Sequence, residues 1–107
     1  MPHVLRFTSH AAGAYQQLQN GGAATQAKFK KVRKTLGLLQ VNPRHSGLRS
    51  HEYENFPGHA DDKVWDSYVE NNTPSAWRIY WMYGPDEQDA EGSAIAVITV
   101  LQISPHM

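Results

Sequence analysis

Residues 77–83, W-R-I-Y-W-M-Y, alternate between two chemistries. Read as a strand, the segment puts Trp77, Ile79, Trp81 and Tyr83 on one face and Arg78, Tyr80 and Met82 on the other, because successive strand side chains point to opposite sides of a sheet. The density of Trp and Tyr favours strand over helix. The first set is expected to face the core, and the second sets a cation beside an aromatic hydroxyl. Arg78 has two readings at this level: a group that acts on an anion, or a structural cation lying over Tyr80 at a sheet edge.

The same periodicities divide the rest of the chain. Residues 3–8, H-V-L-R-F-T, alternate weakly and read as a first strand. Ser9 is positioned to cap a helix over residues 10–20, which Gly21 and Gly22 end. Thr25 is the expected cap of a second helix reaching about residue 40, in which Phe29, Val32, Leu36 and Leu39 recur at helical spacing as a buried stripe. Asn42 and Pro43 stop it, since proline disfavours the helical conformation at the residue before it. Pro57-Gly58 punctuates a turn over 55–63, and residues 64–69, V-W-D-S-Y-V, form the next strand. The polar connection 70–75, containing Asn71-Asn72-Thr73-Pro74, suits a hairpin. Residues 84–93 hold four acids and two glycines and read as a mobile loop without an element of its own. The run 94–103 is almost continuously apolar, which implies a central strand buried on both faces. The order strand, helix, helix, then three or four strands predicts an α+β fold. Its N-terminal strand and two-helix hairpin pack on one side of a mainly antiparallel sheet of about four to five strands.

At 107 residues the chain is expected to be a single domain, 1–107. No apolar run approaches the ~20 residues that cross a bilayer, no charged-then-apolar leader opens the chain, and no cysteine is present. The expected compartment is the cytoplasm, with no membrane partner. The net charge of zero is segregated: residues 1–50 contain eight Lys or Arg and no Asp or Glu, while residues 51–107 contain ten acids and only Lys63 and Arg78 as bases. Such asymmetry points either to a basic surface for an anionic partner or to two halves that attract each other within the fold. Lys28, Lys30, Lys31, Arg33 and Lys34 share the second helix without acids to supply i,i+4 pairs, which favours an anion-facing helix over a solvated one.

The loop 42–53, N-P-R-H-S-G-L-R-S-H-E-Y, packs Arg44, His45, Arg49 and His51 around one glycine. Arginine stays charged and histidine titrates near neutral pH, so the mixture suits phosphate binding and proton transfer. A metal site built from His45, His51, His59 and Asp61 or Asp62 is the weaker alternative, because no recognised ligand spacing is present. No metal and no cofactor is expected.

The loop motif, V-W-D-S-Y-V, T-P-x-A-W-R-I-Y-W-M-Y and the terminal I-x-V-L-x-I-S-P-H, in this order over nearly the whole chain, resemble the RelE/ParE superfamily of small bacterial toxins, including its plasmid-stabilisation proteins. The resemblance implies a toxin-like component of a type II toxin–antitoxin system, acting as a ribosome-dependent mRNA endonuclease in which the RNA 2′-hydroxyl attacks the adjacent phosphate. It assigns Arg78 to the strand arginine of the family and His106 to the basic or histidine position after the last strand. Tyr80 shares the face of Arg78 and is the third catalytic candidate, for orienting a base or phosphate. Arg78 and His106 are expected to meet across adjacent strands, and replacing either is expected to slow cleavage with little loss of stability. Arg44, Arg49, His51, Lys30, Lys31 and Lys34 are the RNA-binding candidates. The partners implied are the ribosome and its mRNA, and a cognate antitoxin where one exists. The neutral charge, against the strongly basic character of the active ribonucleases, keeps a second expectation: a non-catalytic binding module of the same fold, either a ParE-like gyrase inhibitor or a solitary relative without toxin activity.

Overall fold

A computed structural model describes residues 2–71 and 75–107. Strand β1 (Val4–Phe7) leads into helices α1 (Ser9–Asn20) and α2 (Gln26–Val41). Then follow β2 (His51–Tyr53), β3 (Val64–Tyr68), β4 (Trp77–Tyr83), a short pair β5 (Glu87–Gln88) and β6 (Ala94–Ile95), and β7 (Val97–Pro105). The fold is α+β: a five-stranded sheet of order β1-β7-β4-β3-β2, with β1 parallel to β7 and every other pairing antiparallel. No helix among the described residues is long and apolar enough to cross a membrane.

The alternation of β4 sorts the two faces as expected. Ile79 and Trp81 join Phe29, Val32, Leu36 and Leu39 of α2, Ala11 and Leu18 of α1, and Ile98, Val100 and Ile103 of β7 in one core, with Trp77 packed against it. The Trp81 indole N–H donates to Ser67 Oγ at 2.8 Å, so the bulkiest buried side chain also satisfies its polar atom. The other face has a second, smaller core: Tyr80, Val64, Leu101 and Phe56, joined by Tyr53 and Met82. Leu101 reaches it through a bulge, since the pairing runs Tyr80↔Gln102 and then Trp81↔Val100, leaving one extra residue on β7. β7 is thus central and covered on both sides.

Several local expectations change. Thr8, not Ser9, caps α1: its Oγ1 accepts from the Ala11 N–H at 3.2 Å and donates to the Leu101 carbonyl, tying helix start to central strand. Thr25 stands at the start of α2 but makes no side-chain cap; its hydroxyl donates instead to Leu18 O at 2.6 Å. Residues 84–93 are not a featureless loop. β5 and β6 form a two-stranded ribbon whose turn is closed by Asp89 Oδ1, which accepts from the Glu91 and Ser93 N–H groups. Arg6 holds the ribbon through a bidentate pair with Glu87 at 2.7 and 2.9 Å, and this hydrogen bond lowers the Glu87 pKa. The single apolar strand expected over 94–103 is divided at Ala96 between β6 and β7. The turn composition at 71–74 lies largely outside the described residues, though β3 and β4 pair antiparallel as a hairpin requires.

The charge segregation resolves partly within the fold. Lys28 lies over the Trp77 ring and bonds Glu70 at 2.8 Å, and Lys31 reaches the same carboxylate at 3.5 Å. Burial raises the Glu70 pKa, but the hydrogen bonds from Lys28 and the Trp77 amide and the charges of both lysines outweigh it and leave the group below its ordinary value. Lys30, Lys34, Arg44 and Arg49 have no carboxylate partner among the described residues.

Trp81 links strand, helices and loop, so Trp81→Ala is expected to destabilise the protein by ~3–5 kcal/mol. A urea unfolding midpoint equal to that of the wild type would contradict this packing.

Candidate functional site

On the face opposite the helices, the register of β2, β3 and β4 brings His51, Asp66, Tyr68, Arg78 and Tyr80 together. His51 pairs with Asp66, Asp66 with Tyr80, Tyr68 with Arg78, and Arg78 with Ser104. The centre of the group is Asp66, whose side chain is 0% exposed. Arg78 Nη1 donates to Asp66 Oδ1 at 3.4 Å, His51 Nε2 stands 3.3 Å from Oδ2, and His106 Nε2 stands 3.9 Å from the same oxygen. Neither imidazole makes a hydrogen bond to it, so Oδ2 is without a donor among the described residues, and the Arg78 Nε–H is without an acceptor. A buried carboxylate in this state is unusual, because burial of a charge ordinarily demands saturation by donors.

Exposure separates the roles. The side chains of His51 and His106 are 49% and 43% exposed and reach solvent beside the carboxylate, whereas Arg78 is 11% exposed. The Arg78 guanidinium stacks on the Tyr68 ring, 3.5 Å from its centroid, while Arg49 lies 5.9 Å from that centroid and His51 meets the ring edge-on. Because both Nε2 atoms lie close to one carboxylate oxygen, the two imidazoles are within about 7 Å of each other. His51 Nδ1 lies 3.3 Å from the Arg49 carbonyl, while its Nε2 faces Asp66.

The C-terminal segment is held by main-chain bonds. The His106 N–H donates to the Ala76 carbonyl at 2.9 Å, and the Met107 N–H donates to Tyr80 Oη at 2.9 Å. Tyr80 therefore anchors the segment bearing His106 and does not itself face solvent. Its ring is 0% exposed, with Tyr53 and Phe56 edge-on or tilted against it at 5.1 and 5.6 Å. Burial raises the Tyr80 pKa, with Asp66 and Tyr53 adding to the rise against the Met107 bond and Arg78, so the phenol stays protonated at neutral pH.

The sequence candidates thus separate into groups. Arg78 and His106 meet as expected, but through Asp66, not directly. His51, named among the RNA-binding candidates in a loop suited to phosphate binding and proton transfer, stands inside the cluster, and Tyr80 supports it from below. Lys30, Lys31 and Lys34 are not brought there: α2 covers the opposite face of the sheet. Arg44 lies with Arg49 at a cleft between the 43–50 loop and β3 and β4. The expected indifference of stability to loss of Arg78 is at odds with this burial, because its removal would leave Asp66 buried without the one Lys or Arg partner it has among the described residues. Asp66 is the residue that sequence reasoning missed. Its signal was an acid on the same strand face as Val64 and Tyr68, where alternation called for burial.

The imidazoles and acids weighed as metal ligands are dispersed. His59 bonds Asp62 at 2.9 Å, His45 Nδ1 accepts from the Gly47 N–H, and His51 faces Asp66. Among the described residues no group of three or more such side chains is arranged to hold a metal ion. Comparison with family models, curated proteins and solved structures yields no match.

Two outcomes follow from burial. Asp66→Ala leaves the Arg78 guanidinium without its partner in a site that is nearly closed, and is expected to destabilise the fold by ~3 kcal/mol, with Asp66→Asn milder. Urea denaturation measures both, and a loss under ~1 kcal/mol for Asp66→Ala would contradict a buried pair. Tyr80, with its raised folded pKa, stabilises fully below the ordinary phenol value of 10.0, and that contribution is lost as pH rises through the folded value. Thermal melts from neutral to alkaline pH are expected to fall more steeply above pH 10.0 for the wild type than for Tyr80→Phe; parallel curves would show that the phenol is not buried in this way.

Proposed function

We propose that the protein is a toxin-like component of a type II toxin–antitoxin system that cleaves mRNA on the ribosome. One observation carries the reading: two solvent-reaching imidazoles and a guanidinium converge on one buried carboxylate, on the sheet face that the helices leave open. The likeness of the W-R-I-Y-W and I-S-P-H motifs to the RelE/ParE toxins supports the same reading. RNA cleavage through the 2′-hydroxyl requires a base, an acid and a cation, and no cofactor. One imidazole takes the 2′-hydroxyl proton as that oxygen attacks the adjacent phosphorus. The other protonates the departing 5′-oxygen, which leaves a 2′,3′-cyclic phosphate and a free 5′-hydroxyl. A separation within about 7 Å suits two groups acting on either side of one phosphate.

Asp66 keeps Arg78 in place and lies beside both imidazoles; Arg78 supplies positive charge beside the phosphate. Lys30, Lys34 and Arg44 lie outside this cluster and act, in this reading, by long-range attraction of the ribosome and its RNA, an effect that salt weakens. A cognate antitoxin is the partner that would restrain such an activity.

A second reading is favoured by the state of Arg78. A guanidinium already paired with Asp66 and only 11% exposed is poorly placed to neutralise phosphate, which suits a non-catalytic binding module of the same fold, directed at gyrase or without toxin activity. Programmed ribosomes carrying a defined mRNA separate the two. The wild type is expected to cleave, and His106→Gln and His51→Gln each to slow cleavage by ~10²-fold or more, with the double variant well short of the product of the two losses. Arg78→Lys, which retains the charge paired with Asp66, tests the guanidinium without exposing the buried acid to solitude. A His106→Gln protein that cleaves at the wild-type rate removes the acid–base assignment. A wild type that cleaves nothing leaves the binding module, which a gyrase supercoiling assay then examines.

A further inference from the structure

A cleft of about 460 Å³ lies where the 43–50 loop closes over the ends of β3 and β4, on the helix-facing side of the sheet, the side opposite the Asp66 cluster. Its wall is aromatic and its rim cationic. Trp65 and Trp81 stack with centroids 6.1 Å apart at an interplanar angle of 22°, and Tyr83 meets Trp81 edge-on at 5.0 Å. Trp81, 1% exposed, is the fixed base of the wall, with its indole N–H held by Ser67, whose hydroxyl bonds Ser50 of the closing loop at 2.6 Å. Trp65 is half-buried, with Lys63 Nζ 5.3 Å from its ring centroid, and Tyr83 is 46% exposed.

The rim carries Arg44, His45 and Arg49, and no carboxylate lines the cleft. Neither Arg44 nor Arg49 has an acidic partner among the described residues. Arg49 adopts φ +48°, a left-handed conformation that a non-glycine residue seldom takes, as the C-cap of the Ser46–Leu48 turn. His45 caps the same turn with Nδ1, which leaves its Nε2 uncommitted by that bond. The loop thus sets Arg44 and Arg49, neither paired with a carboxylate among the described residues, along an aromatic wall whose base, Trp81, is fixed by a hydrogen bond, with the Arg49 guanidinium 5.9 Å from the Tyr68 ring centroid.

An aromatic wall alone would suit any flat apolar molecule, and two arginines alone would suit any anion. Together they select a planar ring that carries an anionic group, in a volume within the roughly 300–1,000 Å³ typical of small-molecule sites. We propose that this cleft binds a nucleotide unit, with its base against Trp65 and Tyr83 and its phosphate on Arg44 and Arg49. Base–aromatic stacking and bidentate guanidinium–phosphate contacts are the two interactions that the site is built to make. The nucleotide comes either from a free mononucleotide or from a single-stranded RNA, and the chemistry recognised is common to both. The site goes beyond the cleavage reading, and its occupancy does not depend on it.

The test uses the whole chain and measures binding by quenching of tryptophan fluorescence, with calorimetry as the second readout. The probes are AMP, adenosine, inorganic phosphate and a 2′-O-methyl hexaadenylate that cannot be cleaved through its 2′-oxygen. AMP is expected to bind about tenfold or more tightly than adenosine or phosphate, and to weaken with added salt. Arg44→Gln combined with Arg49→Gln is expected to weaken AMP by about tenfold, and Tyr83→Ala by about fivefold, with circular dichroism and melting temperature near those of the wild type. Both sites are exposed, so these variants keep the core. A hexanucleotide that binds far more tightly than AMP identifies an RNA strand as the source; equal affinities identify the mononucleotide. AMP binding no tighter than phosphate, or binding unchanged in the double arginine variant, overturns the proposal. His106→Gln, outside the cleft, is expected to bind AMP as the wild type does, so a failure of the cleavage chemistry and a failure of this site are distinguishable.

Discussion

Each side chain of β4 has one permitted face, because both faces of the strand are occupied. Ile79 and Trp81 are closed in by the helices, while Tyr80 is closed in by Phe56, Val64 and Leu101. A slip of one residue would drive Arg78 and Tyr80 into the helix-facing core and expel Trp81 to the other side, so the register is set by burial on two fronts. β4 also lies between β3 and β7, and its pairing with both carries that register outward. Asp66 opposite Tyr80, and Tyr68 opposite Arg78, are consequences of it.

The same constraint explains why an acid is buried. Once Val64 and Tyr68 take the face opposite the helices, Asp66 must take it too, and the space above it is already closed by neighbours. Burial of a carboxylate is tolerated because Arg78 reaches it from the adjacent strand and Tyr68 covers the guanidinium. The two histidines arrive from different elements, β2 and the segment after β7, and complete the ring around the one oxygen that Arg78 does not bond. Structural need and chemical opportunity thus coincide at one residue, and this is the tension between the two functional readings. A pair that stabilises the fold occupies the cation that catalysis would use.

The two faces of the sheet divide the chemistry. The open face holds two imidazoles and a guanidinium around one carboxylate; the helix-facing side, at the end beneath the 43–50 loop, holds aromatic rings and arginines without a carboxylate partner among the described residues. Arg49 belongs to both settings, lining the cleft while lying over the Tyr68 ring. Its left-handed backbone turns the chain from the loop into β2, and so brings His51 to Asp66.

Outside β2, β5 and β6, periodicity in the chain was sufficient to determine the element order, the α2 stripe of Phe29, Val32, Leu36 and Leu39, the two faces of β4 and the doubly covered strand β7. These are matters of local repeat and apolar burial, which a sequence states directly. Arg78 and His106 were legible as candidates from the same alternation and from their motifs. Asp66 was not, because its role depends on which strands become neighbours and on the bulge at Leu101, and neither is a local property. The ribbon of β5 and β6 was hidden for a similar reason: four acids in ten residues look like a solvated loop until Arg6, some eighty residues earlier, is placed beside Glu87. The partition of the basic residues, with Lys28 and Lys31 committed to Glu70 and Arg44 and Arg49 left without a carboxylate, was likewise decided only by tertiary contact. Charge is written in the chain one residue at a time, but neutralisation is a property of pairs, and pairs across strands exist only once the sheet has chosen its order.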